Sequence, residues 1–398
     1  MLSQWEFQLP TRVRFGPGLL RKVGEEADRF GPNALLVGYR DPGGLEPVYA
    51  KTAAALEAAG LHVIQWLEVP PDPDAEQVAA GARHAAEAGT SVVVGLGGGS
   101  VIDAAKGIAV LARMGGRLWD YTGANPDCRP ASDALPLVAV PTTAGTGSAV
   151  SGVAVFTHHG VGSQPGVPIK ASISGPAVPP TVALIDPELA IGSPPRLTAA
   201  CGADALGHAI ESCMSRRANP MSSLLAARAV GLIVKNLARA VEAPDDPVPR
   251  EPLAMAAMLA GAAFGSAGVT MTHAIAQALG GVLHLPHGEG VAIGTPVNLR
   301  YNAAKCTDVY ARLAHFCAIG GDSAEAQAAA FVERIVELLR AIGLPDRVAV
   351  PADAPADLPA RLARNAIEST PVPLRLNPRK IGEAALVEVF EGLLERGK

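Results

Sequence analysis

The segment CGADALGHAIESC places Asp204 and His208 four residues apart, which sets both side chains on one face of a helix. A second segment, THAIAQALGGVLHLPHGEG, contributes His273 and His287. A helix begun at His273 is expected to stop near Gly280 and Gly281, and Pro286 to turn the chain before His287. The two histidines then lie on different elements that can converge. One carboxylate and three imidazoles make an oxygen and nitrogen donor set without thiolate, suited to Fe2+ or Zn2+. A lone histidine is ordinarily a core or surface residue. The combination of Asp-x3-His with two further histidines in Gly/Ala-rich surroundings points to a metal. His62, His84, His158, His159 and His315 form no such cluster and read as ordinary.

A different chemistry is written in VVVGLGGGSVIDAAKG, residues 92–107. Glycines at the carboxyl end of a strand let a ligand approach the main chain with no Cβ in the way. The helix behind them offers unpaired N–H groups and a positive dipole end, which suit phosphate. Ser100 can cap that helix or bond the ligand. The spacing differs from G-x-G-x-x-G and the glycines follow a third strand, so the usual dinucleotide fingerprint does not apply. A tight turn between strand and helix explains one such loop equally well. A second loop, PTTAGTGS over 141–148, follows another buried strand and adds Thr142, Thr143, Thr146 and Ser148. Small hydroxyl residues beside open backbone bind ribose, phosphate or carboxamide edges. Two such loops at the carboxyl ends of one parallel sheet imply a shared crevice, for which a dinucleotide is the economical ligand.

Strands and helices alternate through the first half: ALLVG, EPVYAKTAAALEAAG, HVIQWLEV, DAEQVAAGARHAAEAG and SVVVGL. This order predicts a parallel sheet with helices on its faces. WEF and RVRF, on either side of QLPT, read as an N-terminal hairpin. From about residue 196 periodic Ala/Leu segments dominate and β-branched runs fade. The expected division is an α/β domain over 1–186 and an all-helical domain over 187–398.

At 398 residues, with 49% hydrophobic residues, the chain is long enough for two domains with large cores. Aromatic residues make up only 4% and the formal net charge is −5, with no basic run, which excludes a nucleic-acid footprint. Apolar segments are interrupted before spanning length, so no membrane span is expected. MLSQWEFQLP lacks the charged and apolar regions of a signal peptide. Five scattered cysteines without CxxC spacing fit a reduced, cytoplasmic setting.

Together these segments resemble the iron-containing (group III) alcohol dehydrogenase family over nearly the whole chain. GLGGGSVIDAAK resembles its phosphate loop, PLVAVPTTAGTGS its second nucleotide loop, VPPTVALIDPEL the junction between domains, and the two histidine segments its metal-ligand regions. The resemblance implies a Rossmann-like N-terminal domain and a helical C-terminal domain, the dehydroquinate synthase-like fold, with the active site between them. It implies Asp204, His208, His273 and His287 as metal ligands. It further implies Gly98, Gly99, Ser100, Asp103, Thr142, Thr143, Thr146, Ser148 and Lys170 as contacts to NAD or NADP, with Phe264 against the substrate. The activity implied is reversible oxidation of a small alcohol to an aldehyde or ketone, by a homodimer.

Three departures stand out. Ala149 occupies a position where the family often has Glu. Gln277 stands where many members have a second histidine linked to proton transfer, which leaves His284 or solvent as the carrier. After the first strand, VGYRDPGG offers Asp41 for a ribose hydroxyl or Arg40 for a 2′-phosphate. A maleylacetate-reductase-like enzyme or a dehydroquinate-synthase-like lyase would need several basic pocket residues, and the ligand segments offer few. A nucleotide-binding protein without catalysis would not need the full ligand set.

Overall fold

The computed structural model describes residues 4–397. The chain divides into two compact units: Leu9–His158 with Ala171–Ile191, and Gly192–Lys398 with His159–Lys170 and the N-terminal residues up to Gln8.

The first unit is built on a six-stranded sheet. Its strands are β1 (Arg12–Phe15), β2 (Asn33–Tyr39), β3 (His62–Val69), β4 (Val92–Gly97), β5 (Leu137–Pro141) and β8 (Val182–Ile185). The order is β1-β8-β5-β4-β2-β3, and every pair is parallel. Two further strands, β6 (Val153–His158) and β7 (Ile169–Ser174), form a separate two-stranded sheet. The helices are α1 (Val23–Ala27), α2 (Glu46–Ala58), α3 (Ala75–Glu87) and α4 (Gly99–Met114). A parallel sheet is covered on both faces, so its strands read as continuous apolar runs. All six residues of β4 are buried. The alternation of strand side chains divides them between two cores. Leu35, Val37 and Val93 pack with α3 and α4, whereas Ala34, Leu36, Val92 and Val94 pack with α1 and α2. Asp74 caps α3, its side chain accepting from Glu76 N at 2.7 Å.

The helices following the neighbouring strands β2 and β4 therefore lie on opposite faces of the sheet. That is the topological switch point, where the loops part and leave a crevice at the carboxyl ends of the strands. Tyr39 and the Gly97–Gly99 turn stand there.

The second unit holds α5 (Pro195–Met214), α6 (Pro220–Glu242), α7 (Arg250–Ala267), α8 (Met271–Leu283), α9 (His287–Phe316), α10 (Ala324–Ala341), α11 (Leu358–Ser369), α12 (Pro371–Leu376) and α13 (Glu383–Leu393). Among the described residues no single helix is long and apolar enough to cross a membrane.

Four expectations are corrected. The N-terminal hairpin does not form: residues 4–10 carry no strand, and β1 pairs in parallel with β8, Arg12 opposite Val182. That long-range pairing leaves no local pattern in the sequence. The single boundary at 186/187 is replaced by an interleaved division. β8 lies between β1 and β5 and carries the sheet unit to Ile191. Residues 159–170 join the helical unit, where Asn365 Nδ2 donates to the Pro168 carbonyl at 3.1 Å and Gln164 Nε2 to the Arg361 carbonyl at 3.1 Å. The helical part is not all-α, because β9 (Val348–Val350) and β10 (Leu394–Arg396) pair in parallel. Finally, α8 runs past Gly280 and Gly281 to Leu283 and ends on His284 in the left-handed region, φ 55°. The reading placed in MLSQWEFQLP falls partly on residues 1–3, outside the described residues.

Candidate functional site

Asp204 and His208 project from α5, His273 from α8, and His287 opens α9 directly after Pro286. Asp204 Oδ1 is the hub. It lies 3.6 Å from His208 Nδ1, 3.5 Å from His273 Nε2 and 3.4 Å from His287 Nε2. Donors about 2.1 Å from a shared tetrahedral ion stand about 3.4 Å apart, so this spacing fits such an ion. Candidate ligand atoms of Asp204, His208 and His273 all lie within 4.8 Å of one another, and all three residues are buried. Asp204 Oδ1, His208 Nδ1 and His273 Nε2 are buried with no hydrogen-bond partner among the described residues. Burial opposes the Asp204 charge, but the imidazoles of His208 and His287 outweigh it and hold the carboxyl well below its ordinary value. Burial pushes His208 down to about 3. Burial also works against a charge on His273, but Glu211 and Asp204 overcome it and raise the ring to about 9.

Glu211 was not singled out by the sequence reading. It lies on α5, seven residues after Asp204 and three after His208, hence on their face. An ionisable residue continuing the i, i+4, i+7 pattern was the available signal. Its carboxylate is fully buried and meets His273 Nδ1 in a short hydrogen bond. Burial opposes its charge as well, but the His273 ring and the surrounding donors hold it below the usual glutamate value.

Gln277 is one turn beyond His273 on α8 and is buried, with Oε1 lacking a partner among the described residues. Phe264, on α7, stacks on His208 with ring centroids 4.3 Å apart and planes at 17°. His284 is exposed at the cap of α8. Lys170 is buried in the helical unit, its Nζ 3.1 Å from the place a Cβ on Gly280 would occupy.

In the sheet unit, Gly98 forms the N-cap of α4 with no side-chain cap bond. Ser100 does not cap the helix; its Oγ accepts from Asp72 N at 3.3 Å. The Thr142 amide donates to the Gly97 carbonyl at 3.0 Å, which joins the two loops. Thr143 Oγ1 lies 3.3 Å from a Cβ built on Gly98, and Thr146 packs against Gly99. Thr146 Oγ1 accepts from Ser148 N at 3.2 Å. Asp103 and Ser148 bond to each other: the Ser148 hydroxyl donates to Asp103 Oδ1, and Val155 N donates to Asp103 Oδ2 at 2.9 Å. These two side chains brace the loops from behind, a use the motif alone does not reveal. After β2, Arg40 forms an ion pair with Glu68 at 2.9 Å, and Asp41 Oδ1 accepts from Gly43 N at 3.2 Å.

Comparison with known proteins agrees along the whole length. Residues 10–187 match the family described as "Iron-containing alcohol dehydrogenase". Residues 198–394 match "Fe-containing alcohol dehydrogenase family, C-terminal". The chain is 32% identical to the NAD-dependent methanol dehydrogenase of Bacillus methanolicus, covering 98% of this chain and 99% of that one. It is 34% identical to the 1,3-propanediol dehydrogenase of Citrobacter freundii, covering 97% and 98%. Among solved structures, an archaeal halo-thermophilic alcohol dehydrogenase from a Red Sea brine pool superposes with TM-score 0.90 at 29% identity, covering 99% and 100%. A 1,3-propanediol oxidoreductase superposes with TM-score 0.88 at 32% identity, covering 98% and 100%. The α/β unit on its parallel sheet, the largely helical unit with its carboxylate and histidine cluster, and these matches place the chain in the iron-containing alcohol dehydrogenase family, oxidoreductases acting on the CH–OH group.

Proposed function

We propose that this chain catalyses reversible hydride transfer between a small alcohol and its aldehyde or ketone. NAD is the hydride carrier, and Fe2+, or Zn2+ in its place, is held by Asp204, His208, His273 and His287. The observation that carries this reading is the set of buried, convergent ligand atoms on Asp204, His208 and His273 without a hydrogen-bond partner among the described residues. Leaving a buried polar atom unpaired costs about 1–3 kcal/mol, so three convergent ones make physical sense as ligands of one ion. A divalent ion bound there supplies Lewis acidity toward the alcohol oxygen.

The chain's own residues do the rest. Phe264 covers the His208 ring with an apolar face and helps exclude water. Gln277 can orient a hydroxyl through its amide but cannot hold a proton near neutral pH. On this reading protons leave through hydroxyls and solvent, with no base among the described residues in direct contact. The Cβ-free turn at Gly98 with the Thr142 and Thr143 loop suits the dinucleotide phosphates and ribose. Arg40, after β2, is paired with Glu68 at 2.9 Å, so a 2′-phosphate would compete with that carboxylate, which favours NAD over NADP. The NAD-dependent methanol dehydrogenase relative supports the same choice.

The test is His273→Ala, compared with wild type for bound metal by atomic emission, NAD affinity by calorimetry, and oxidation of short alcohols and diols with NAD and NADP. Loss of metal and turnover with NAD affinity retained is expected. Wild-type protein that takes up no divalent ion, or a variant that retains it in full, would sink the metal reading.

A further inference from the structure

We propose that Glu211, steadied by Asn298, is a positioning residue: it fixes which nitrogen of His273 faces the ligand cluster and so sets how tightly that cluster binds a divalent ion. The inference rests on the metal reading above. The two oxygens of Glu211 have different tasks. Oε1 accepts from the Thr270 hydroxyl at 2.7 Å, the Thr272 amide at 2.8 Å and Asn298 Nδ2 at 3.1 Å. Oε2 faces His273 Nδ1. An ionised carboxylate only accepts hydrogen bonds. Nδ1 therefore keeps a proton, and Nε2, the atom 3.5 Å from Asp204 Oδ1, is the nitrogen whose lone pair a bound ion would take.

Asn298 is itself fixed. Its Nδ2 also reaches the Thr270 and Thr272 hydroxyls at 3.0 and 2.9 Å, and its Oδ1 accepts from Asn302 Nδ2 at 2.6 Å. Glu211, Asn298 and Asn302 are all essentially solvent-free. A network of this kind, fully buried and satisfied, holds one arrangement. Carboxylates that bond the distal nitrogen of a ligating histidine orient the ring and raise its basicity.

Glu211→Gln tests the idea with almost no change of shape. The three donors at Oε1 demand an acceptor, so the amide oxygen takes that side and the NH2 group faces His273 Nδ1. Nδ1 must then accept, and the proton moves to Nε2, where it points at Asp204. We expect a folded, metal-free protein with near-wild-type melting temperature and NAD affinity. Its Co2+ affinity, read from the visible absorption of the bound ion in chelator competition, should fall by about tenfold to a hundredfold. In nitrogen-15 spectra of the zinc-loaded wild type, His273 Nδ1 should carry the proton. Asn298→Ala, which leaves the Glu211 charge and removes one of its anchors, should weaken Co2+ by a smaller factor.

A folded Glu211→Gln protein that binds Co2+ as tightly as wild type overturns the inference while the metal reading stands. If Glu211→Gln does not fold, unchanged Co2+ affinity in Asn298→Ala, or an unprotonated Nδ1 in wild type, overturns it instead. Equal Co2+ binding by wild type and His273→Ala defeats the metal reading itself, and this inference with it.

Discussion

At Gly98 and Gly99 the same residue type does two different things. A Cβ on Gly99 would run into the Thr146 side chain, so the protein itself uses that space to bring its two loops together. Gly98 has φ −77° and ψ −168°, a backbone any residue adopts. The nearest atoms to an added Cβ there are the Tyr39 hydroxyl at 2.8 Å and Thr143 Oγ1 at 3.3 Å. The Tyr39 hydroxyl is the far end of a side chain and can yield. Gly98→Ala therefore separates a ligand role from a packing role more cleanly than any change at Gly99. We expect a folded protein whose NAD affinity falls about tenfold, or about 1.4 kcal/mol, measured by calorimetric titration. Wild-type affinity in that variant would reduce Gly98 to a turn residue.

Between elements, Lys106 ties α4 to the loop after β5 and to the start of β6. Its ammonium is fully buried and donates to Ser148 Oγ at 2.9 Å, the Ser151 carbonyl at 2.9 Å and the Val153 carbonyl at 2.7 Å. Three donors meet three acceptors. Lys106→Met keeps the aliphatic stem and removes the bonds, leaving buried acceptors unpaired. We expect a stability loss of about 1–3 kcal/mol in urea unfolding, together with weaker NAD binding. Co2+ affinity, which belongs to the helical unit, should be unchanged. Burial also pushes the Lys106 ammonium from its ordinary 10.5 down to about 8. The unfolded chain then binds more protons than the folded one between those two values, so stability rises with pH across that window. The wild type should gain on Lys106→Met between pH about 8 and pH about 10.5. A difference that stays constant with pH would show that Lys106 titrates alike in both states.

On the scale of the whole molecule, the four candidate ligands come from α5, α8 and α9, with two helices between α5 and the consecutive pair α8 and α9. A bound ion would thus bridge three helices of one unit, and ligand binding to the folded state adds directly to its stability. We expect saturating Zn2+ to raise the melting temperature and a chelator to lower it. The gain should be about 2.7 kcal/mol at a free ion concentration of about 100 times the dissociation constant. His273→Ala should melt at one temperature with or without the ion. Calorimetric scans of both proteins decide the point, and a His273→Ala protein stabilised as strongly as wild type would locate the ion elsewhere.

Local order was legible in the sequence wherever one short-range rule governed it. The apolar runs of β2 and β4 announced a parallel sheet, Asp74 announced the start of α3, and Asp-x3-His announced one face of α5. The two histidine segments also offered the candidate donors, because residue type alone defines a donor. What depended on distant partners was not legible. β1 went to β8 and not into a local hairpin, since strand pairing is decided by which edge is open in the assembled sheet. Asp103 and Ser148 turned out to bond each other, and Glu211 to grip His273, because a polar side chain's partner is chosen by three-dimensional proximity. The residue types came from the chain; the direction each polar atom faces, and therefore which of them are spent on the fold and which are left for a ligand, was decided only by tertiary packing.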